Sequence, residues 1–315
     1  MRILVIGAGA VGGYFGGRLL EAGRDVTFLV RPKRAARLAE AGLVITSRFG
    51  DAVLKPPTVL SEEIRETFDL VLLSCKAYDL ESAIDSFAAA VGPQTVILPV
   101  LNGMRHLDLL DQCFGAEKVL GGLCQIAATL DASGHIHHLS DTHWVVFGER
   151  DGTRSARIDS IAGMMADAAF KSRHSSEIVL EMWEKWAFLA ALAASTCLMR
   201  AGVGDIVAAG SGDLTLGLFE ECRAIAEHAG YALRPEFIAK SRGVLTAQGS
   251  TLSASMLRDI ERGGPTEAGH IIGDLLQRAA AGGKESPLLQ LAYAHLMTYE
   301  IRRIRLAEQA AAEIG

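Results

Sequence analysis

Arg2-Ile3-Leu4-Val5-Ile6-Gly7-Ala8-Gly9-Ala10-Val11-Gly12 opens the chain and decides its fold. The apolar run before Gly7 has no amphipathic alternation, the mark of a strand buried on both faces. If a helix starts at the glycines, each has its own task. Gly7 allows the sharp turn out of the strand, Gly9 lets a pyrophosphate approach the backbone, and Gly12 lets the helix pack close to the strand. Ala10 and Val11 complete the turn, and the free amides and positive dipole end of the helix then face the phosphates. Asp25 to Val30 reads as a second strand. GxGxxG alone is a weak signal. A strand before it, a helix opened by it and a strand after it supply the context of a dinucleotide site. The competing explanation is a glycine turn that packs a helix on a sheet and binds nothing.

The second strand ends at Arg31, with Lys33 and Arg34 close behind. A site for NAD usually puts Asp or Glu here to accept from the ribose 2′-hydroxyl. A carboxylate repels a 2′-phosphate, whereas a guanidinium binds it with paired, charge-assisted hydrogen bonds. The cofactor indicated is therefore NADPH; the alternative for Arg31 is a solvated loop cation.

Composition bounds the rest. At 315 residues the chain is long for one core and natural for two domains. Half of it is hydrophobic and 22% is charged, which specifies a folded protein. A net charge of −6 offers no general attraction to nucleic acid or to an anionic membrane. Cys75, Cys113, Cys124, Cys197 and Cys222 are scattered and form no CxxC pair, as expected of reduced cytoplasmic thiols. The N-terminus lacks the cationic leader of a signal peptide, and the apolar run Trp186 to Met199 is shorter than the roughly twenty residues that span a bilayer.

Along the chain the pattern is α/β to about residue 175. Lys33 to Ala41 and Leu80 to Val91 read as helices. Gly42 to Thr46, Ala52 to Leu54, Phe68 to Ser74 and Thr95 to Leu101 read as strands. Val119 to Leu130 and His135 to Phe147 alternate more clearly, which predicts an antiparallel extension of the sheet. His135, His137, His138 and His143 in that segment are taken as polar strand residues and not as metal ligands. Ile158 to Ala169 is a helix and Lys171 to His174 a last strand. From Ser176 the strand signal ends. A long helix capped by Ser176 runs to about Arg200, and five more follow: Leu214 to Ala229, Pro235 to Gln248, Ser253 to Arg262, Glu267 to Ala281 and Pro287 to Gln309. Two domains result, 1–175 and 176–315.

Ligands of such parallel sheets bind beyond the carboxyl ends of the strands. Lys76 and Asn102 stand at strand ends, as Gly7 and Arg31 do, so four segments point to one crevice. In the helical half, Lys185 lies in Met182-Trp183-Glu184-Lys185-Trp186-Ala187-Phe188-Leu189. A lone lysine among tryptophans either snorkels to water or is placed for chemistry. Gly263-Gly264-Pro265 stops one helix, and Thr266 is placed to cap the next, with Glu267 in its first turn.

Gly7-x-Gly9-x-x-Gly12, Lys76-Ala77, Asn102-Gly103-Met104, Glu184-Lys185 and Ser255-Met256-Leu257-x-Asp259-Ile260 with Pro265-Thr266-Glu267 together resemble the ketopantoate reductase (2-dehydropantoate 2-reductase) family. The likeness covers nearly the whole chain in order. It implies a Rossmann-type domain followed by an all-helical domain, with the site in the cleft between them. The implied reaction is reduction of a 2-oxo acid by NADPH, as in the step to pantoate in pantothenate biosynthesis. By the same resemblance Lys185 is the general acid, and Glu267 positions substrate and lysine. Asn102 holds the nicotinamide side and the substrate, Ser255 contacts the substrate, and Lys76 and Arg31 belong to the cofactor.

The pattern departs from the family in one place. The family commonly carries asparagines four and eight residues after the lysine, on one face of its helix. Here those substrate-lining positions are Leu189 and Ala193. Each neutral hydrogen bond lost is worth roughly 0.5–1.5 kcal/mol, so a less polar 2-oxo acid is the alternative substrate. Thr196 returns to the same face and is a candidate to compensate. A non-catalytic NADPH-binding regulator is a further alternative, against which the retained Lys185 and Glu267 speak. The helical domain permits a homodimer without requiring one.

Overall fold

The computed structural model describes residues 1–314. The chain divides into two compact units, one of residues 1–102 and 106–179, the other of 103–105 and 180 onward.

The first unit begins β1 (Arg2–Ile6), α1 (Ala10–Glu21), β2 (Asp25–Leu29), α2 (Pro32–Ala41), β3 (Leu43–Thr46), β4 (Ala52–Leu54), β5 (Thr58–Val59), β6 (Leu70–Leu73), α3 (Leu80–Phe87) and β7 (Val96–Pro99). It continues with α4 (Arg105–Phe114), β8 (Gly121–Leu130), β9 (Ile136–Gly148), α5 (Ala156–Met165) and β10 (Lys171–His174). β1 is the central strand of a parallel sheet ordered β5-β2-β1-β6-β7. Its residues from Ile3 to Ile6 are buried, as the unbroken apolar run requires. The register sets Ile6 level with Leu29 and Leu73, and Leu73 level with Pro99. Gly7, Arg31, Ser74 and Val100 thus all follow strands that end at one edge of the sheet.

β8 and β9 do pair antiparallel, with a bulge between Ile126 and Ala128. They do not extend the first sheet, however. They build a second one, ordered β10-β9-β3-β4 with β8 on β9, and a bridge from Ile97 to Val119 links the lead-in of β8 to β7. The reason is the length of β9, whose thirteen residues pair with β8, β3 and β10, two of them distant in sequence. α1 lies between the sheets. A Cβ on Gly12 or Gly16 would strike Ser74 and Phe28 of the first sheet's side, and one on Gly13 or Gly17 would strike Ile136 and Ile45 of the second. Four glycines at i, i+1, i+4 and i+5 therefore give the helix two close-packed faces. α4 was not foreseen; Leu107 and Leu110 are its buried apolar positions, too few to declare a helix among His106, Asp108 and Asp111.

The second unit is helical, with no strand among the described residues. It comprises α6 (Ile178–Met199), α7 (Val203–Ala208), α8 (Gly212–His228), α9 (Pro235–Leu245), α10 (Ser255–Glu261), α11 (Asp274–Ala281) and α12 (Pro287–Ile314). α6 crosses the division between the units at its first turn. The Glu177 amide before it bonds the Ser175 hydroxyl at 3.1 Å, one residue earlier than the Ser176 cap expected. The helix expected from Glu267 begins at Ala268 and runs as a π-helix through Gly269–Gly273 before α11. Such single π turns often mark functional sites.

Candidate active site

The three glycines of the first turn have three separate environments. Gly7 has φ +83°, a conformation that side chains avoid, and its amide bonds Leu29 O at 2.9 Å. A Cβ on Gly9 would meet nothing within 4 Å, so the backbone there faces open space. A Cβ on Gly12 would lie 2.2 Å from Ser74 Oγ and 2.7 Å from Gly7 O, so α1 rests directly on the strand ends. The first turn of the helix is closed by a bond from the Gly13 amide to Gly9 O. The amides of Ala10, Val11 and Gly12 have no acceptor within the helix, and the first turn holds no acidic side chain. An open glycine, free amides and no carboxylate together form a cradle that fits a dinucleotide pyrophosphate.

Arg31 is the N-cap residue of α2, largely exposed, and its Nη2 donates to Asp79 Oδ1 at 2.7 Å. That bond and the carboxylate charge raise its pKa. Arg34 is turned inward: Nε donates to Ala8 O at 3.1 Å and Nη1 to Gly134 O at 3.0 Å. Burial, then the nearby Arg37, lowers its pKa. Arg34 thus braces the glycine turn, whereas Arg31 stays at the surface, as do Lys33 and Arg37. Lys76 follows β6 and its carbonyl accepts from the Asp79 amide, so Lys76 and the partner of Arg31 share one turn. Asn102 lies three residues beyond β7, half-buried.

In the helical unit, α6 carries Lys185, half-buried between buried Glu184 and Trp186. Glu184 is committed elsewhere. Its carboxylate accepts from the Arg234 amide at 3.0 Å and from Nε and Nη2 of the Arg234 guanidinium. Trp186 Nε1 donates to Ile271 O at 2.9 Å, and the Ile271 amide donates to Glu267 O at 2.9 Å. The residue after Lys185 is therefore two hydrogen bonds from the backbone of Glu267. Trp183 packs on Trp186 and stacks on Tyr231, with the Arg278 guanidinium over both indoles. Gly103, at φ +79°, fits under the imidazole of His270, where a Cβ would lie 3.0 Å from Cδ2.

Three expectations need correction. Thr266 caps nothing with its side chain: its hydroxyl is buried without a hydrogen-bond partner, and its amide is held by Glu300 Oε1 at 2.6 Å. Glu267 is not in the first turn but precedes it, its carbonyl receiving the amides of His270 and Ile271. Thr196 is fully buried and its hydroxyl is already used, donating to Leu192 O at 2.6 Å and accepting from the Ala254 amide at 3.3 Å. It fixes the residue before Ser255, which is itself exposed at the start of α10. Of the two departures on α6, Leu189 is half-buried and Ala193 buried. Tyr299, Glu300, Trp186 and His270 were not singled out as site residues; only their long-range partners reveal them.

The histidines of β9 and of the turn before it serve the second sheet. His137 and His135 flank Asp131, whose carboxyl the bonds from the His137 ring and the His135 amide hold down at about 2. His138 and His143 are buried beside Tyr14, Phe49 and Arg18. No group of three or more His, Cys, Asp or Glu among the described residues is placed to hold a metal ion, and no described helix is long and apolar enough to cross a membrane.

Comparison with known proteins agrees with this architecture at both ends of the chain. Residues 3–152 match the family model "Ketopantoate reductase PanE/ApbA" and residues 177–300 its C-terminal counterpart. A Bacillus subtilis (strain 168) protein named "Uncharacterized oxidoreductase YkpB" is 39% identical over 96% of this chain and 100% of its own. The crystal structure of 2-dehydropantoate 2-reductase from Geobacter metallireducens GS-15 superposes with a TM-score of 0.86 at 28% identity, covering 95% of this chain and 99% of its own. A ternary structure of D-mandelate dehydrogenase with NADH and anilino(oxo)acetate has a TM-score of 0.87 at 20% identity, over 96% and 99%, a likeness of fold.

Proposed function

The chain belongs to the ketopantoate reductase family and is an oxidoreductase, and from that premise we propose that it reduces 2-dehydropantoate to pantoate with NADPH. The observation that carries this is the hydrogen-bonded frame through Trp186 and Ile271, which ties the helix of Lys185 to the backbone of Glu267. We assign residues 1–175 to the cofactor, with Asn102 also reaching the substrate, and 176–315 to the acid and the other substrate contacts, working in the cytoplasm.

NADPH, when bound, supplies the hydride. The residues of the chain do the rest. Gly7, Gly9 and the amides of Ala10, Val11 and Gly12 receive the pyrophosphate, and Lys76 and Asn102 complete the cofactor edge. Arg31 takes the 2′-phosphate. To do so it exchanges Asp79, and because Arg31 is largely exposed and Asp79 partly so, the exchange costs little, about 0–1 kcal/mol. Lys185 meets the negative charge that grows on the substrate oxygen and gives it a proton. Glu267 orients lysine and substrate, and Ser255 and Asn102 hold the substrate. Leu189 supplies an apolar wall where a hydrogen bond is usual, while Thr196 takes no part, its hydroxyl being spent inside the helix pair.

The test follows NADPH oxidation with 2-dehydropantoate beside a panel of bulkier apolar 2-oxo acids. Selective turnover of 2-dehydropantoate is expected. Better turnover of an apolar acid would replace the substrate and make Leu189 and Ala193 its determinants. NADPH binding without turnover of any acid would overturn the enzymatic proposal.

A further inference from the structure

Glu267 is reached through a loop, Gly263-Gly264-Pro265-Thr266, that α12 grips on both sides of its proline. Tyr299 donates its hydroxyl to Gly264 O at 2.8 Å. Glu300 accepts the Thr266 amide at 2.6 Å. The other oxygen of Glu300 is held by Arg303, through Nε at 3.0 Å and Nη2 at 2.9 Å, so the carboxylate itself is fixed. Pro265 has no N–H. The backbone donors from Gly264 to Thr266 are therefore two: the Gly264 amide closes α10 on Asp259 O at 2.8 Å, and the Thr266 amide goes to Glu300. The Thr266 side chain contributes no hydrogen bond. The start of the loop is thus tied to α10, and its Gly264 carbonyl and Thr266 amide are held by α12.

We propose that Glu300, with Tyr299, is a positioning residue of the reaction, setting where the Glu267 carboxylate stands by fixing the Pro265–Thr266 peptide one residue before it. The proposal rests on the assignment of Glu267 to the reacting centre made above. A carboxylate bonded to an amide is a strong acceptor, and Arg303 confines the Glu300 side chain to one arrangement. Downstream, the Ile271 amide and Trp186 fix the carbonyl side of Glu267. Glu267 is thus held from α12 on its amino side and from α6 on its carboxyl side.

The experiment is a double-mutant cycle between Glu300→Ala and Glu267→Gln, with kcat and KM for the oxo acid, NADPH affinity by nicotinamide fluorescence, and Tm for each variant. Small displacements of a positioned group cost up to about 100-fold in rate, so Glu300→Ala is expected to lower kcat by roughly 10- to 100-fold with NADPH affinity unchanged. In the Glu267→Gln background the same change should do almost nothing, because groups that act through one another are not additive. Glu300→Gln keeps an oxygen for the Thr266 amide and should retain most activity. If Glu300→Ala does not fold, Glu300→Gln and Tyr299→Phe carry the test. Tyr299→Phe is expected to give a smaller loss that also vanishes in the Glu267→Gln background. Full kcat in folded Glu300→Ala, or losses that multiply in the double variant, would overturn the proposal. Unimpaired Glu267→Gln would remove its premise, and that outcome is seen before any Glu300 variant is made.

Discussion

The two halves of the candidate site are built on different principles. At the cofactor end, one local stretch specifies the geometry: Gly7 turns, Gly9 leaves space, Gly12 admits the strand ends, all within six residues. At the chemical end, every functional segment is placed by a partner far along the chain. Trp186 reaches Ile271 across 85 residues, Thr196 reaches Ala254 across 58, Arg234 reaches Glu184 across 50 and Thr266 reaches Glu300 across 34. Backbone conformation is a local property and glycine announces it. Side-chain hydrogen bonds between helices are not, because helical periodicity reports which face is buried and not what lies against it.

The sharpest break between the halves is expected from Lys185→Ala. Loss of a general acid lowers kcat by about 10²–10⁴-fold, and NADPH affinity should stay as it is; near-normal kcat would make Lys185 structural. Arg31→Ala acts on the other half. A charge-assisted hydrogen bond is worth about 1.5–3 kcal/mol, so the preference for NADPH over NADH should shrink by roughly 10- to 100-fold. An unchanged ratio of affinities, measured for both cofactors, would place the 2′-phosphate elsewhere. Gly12→Ala separates folding from binding. Its Cβ would collide with Ser74 and with the Gly7 carbonyl, and overpacking of that kind costs about 1–3 kcal/mol, to be read from urea unfolding.

That contrast also explains what could be read from the sequence. β1, β2, β6, β7 and the edge they share were legible because buried parallel strands are unbroken apolar runs and their glycines fall at fixed offsets. The second sheet was not, since β3, β9 and β10 pair across long separations and their alternation reveals strand character without naming a partner. Lys185 and Glu267 were reached through family resemblance, whereas the residues that fix Glu267 were missed. Tyr299 and Glu300 sit in a helix rich in charged residues and look like solvated surface until their partners are known. Thr266 misled for the opposite reason: Thr-Glu after Gly-Gly-Pro has the composition of a helix cap, but a carboxylate on α12 takes the amide instead.

The smallest expected effect lies outside the site. Burial lowers the pKa values of His138 and His143 in the folded protein, aided by neighbouring positive charge and, at His138, opposed by the bond to the Thr142 carbonyl. The unfolded chain then binds more protons than the folded one as pH falls through about 6.5. Stability from these groups is therefore complete above that pH and declines below it. Tm should fall between pH 7.5 and pH 5.5, and His143→Phe should flatten the slope; an equal slope in the variant would exclude His143 as its source.

The most direct test of the division of labour crosses Gly9→Ala with Lys185→Ala, measuring NADPH affinity and the single-turnover rate of hydride transfer at saturating cofactor. A Cβ on Gly9 meets no protein atom, so that variant should fold normally and lose about tenfold in affinity, about 1.4 kcal/mol, with its saturated rate intact. Lys185→Ala should do the reverse, binding NADPH normally and transferring hydride slowly. If both variants change both quantities, or if Gly9→Ala binds NADPH as well as the parent, the cofactor and chemical functions are not divided as proposed.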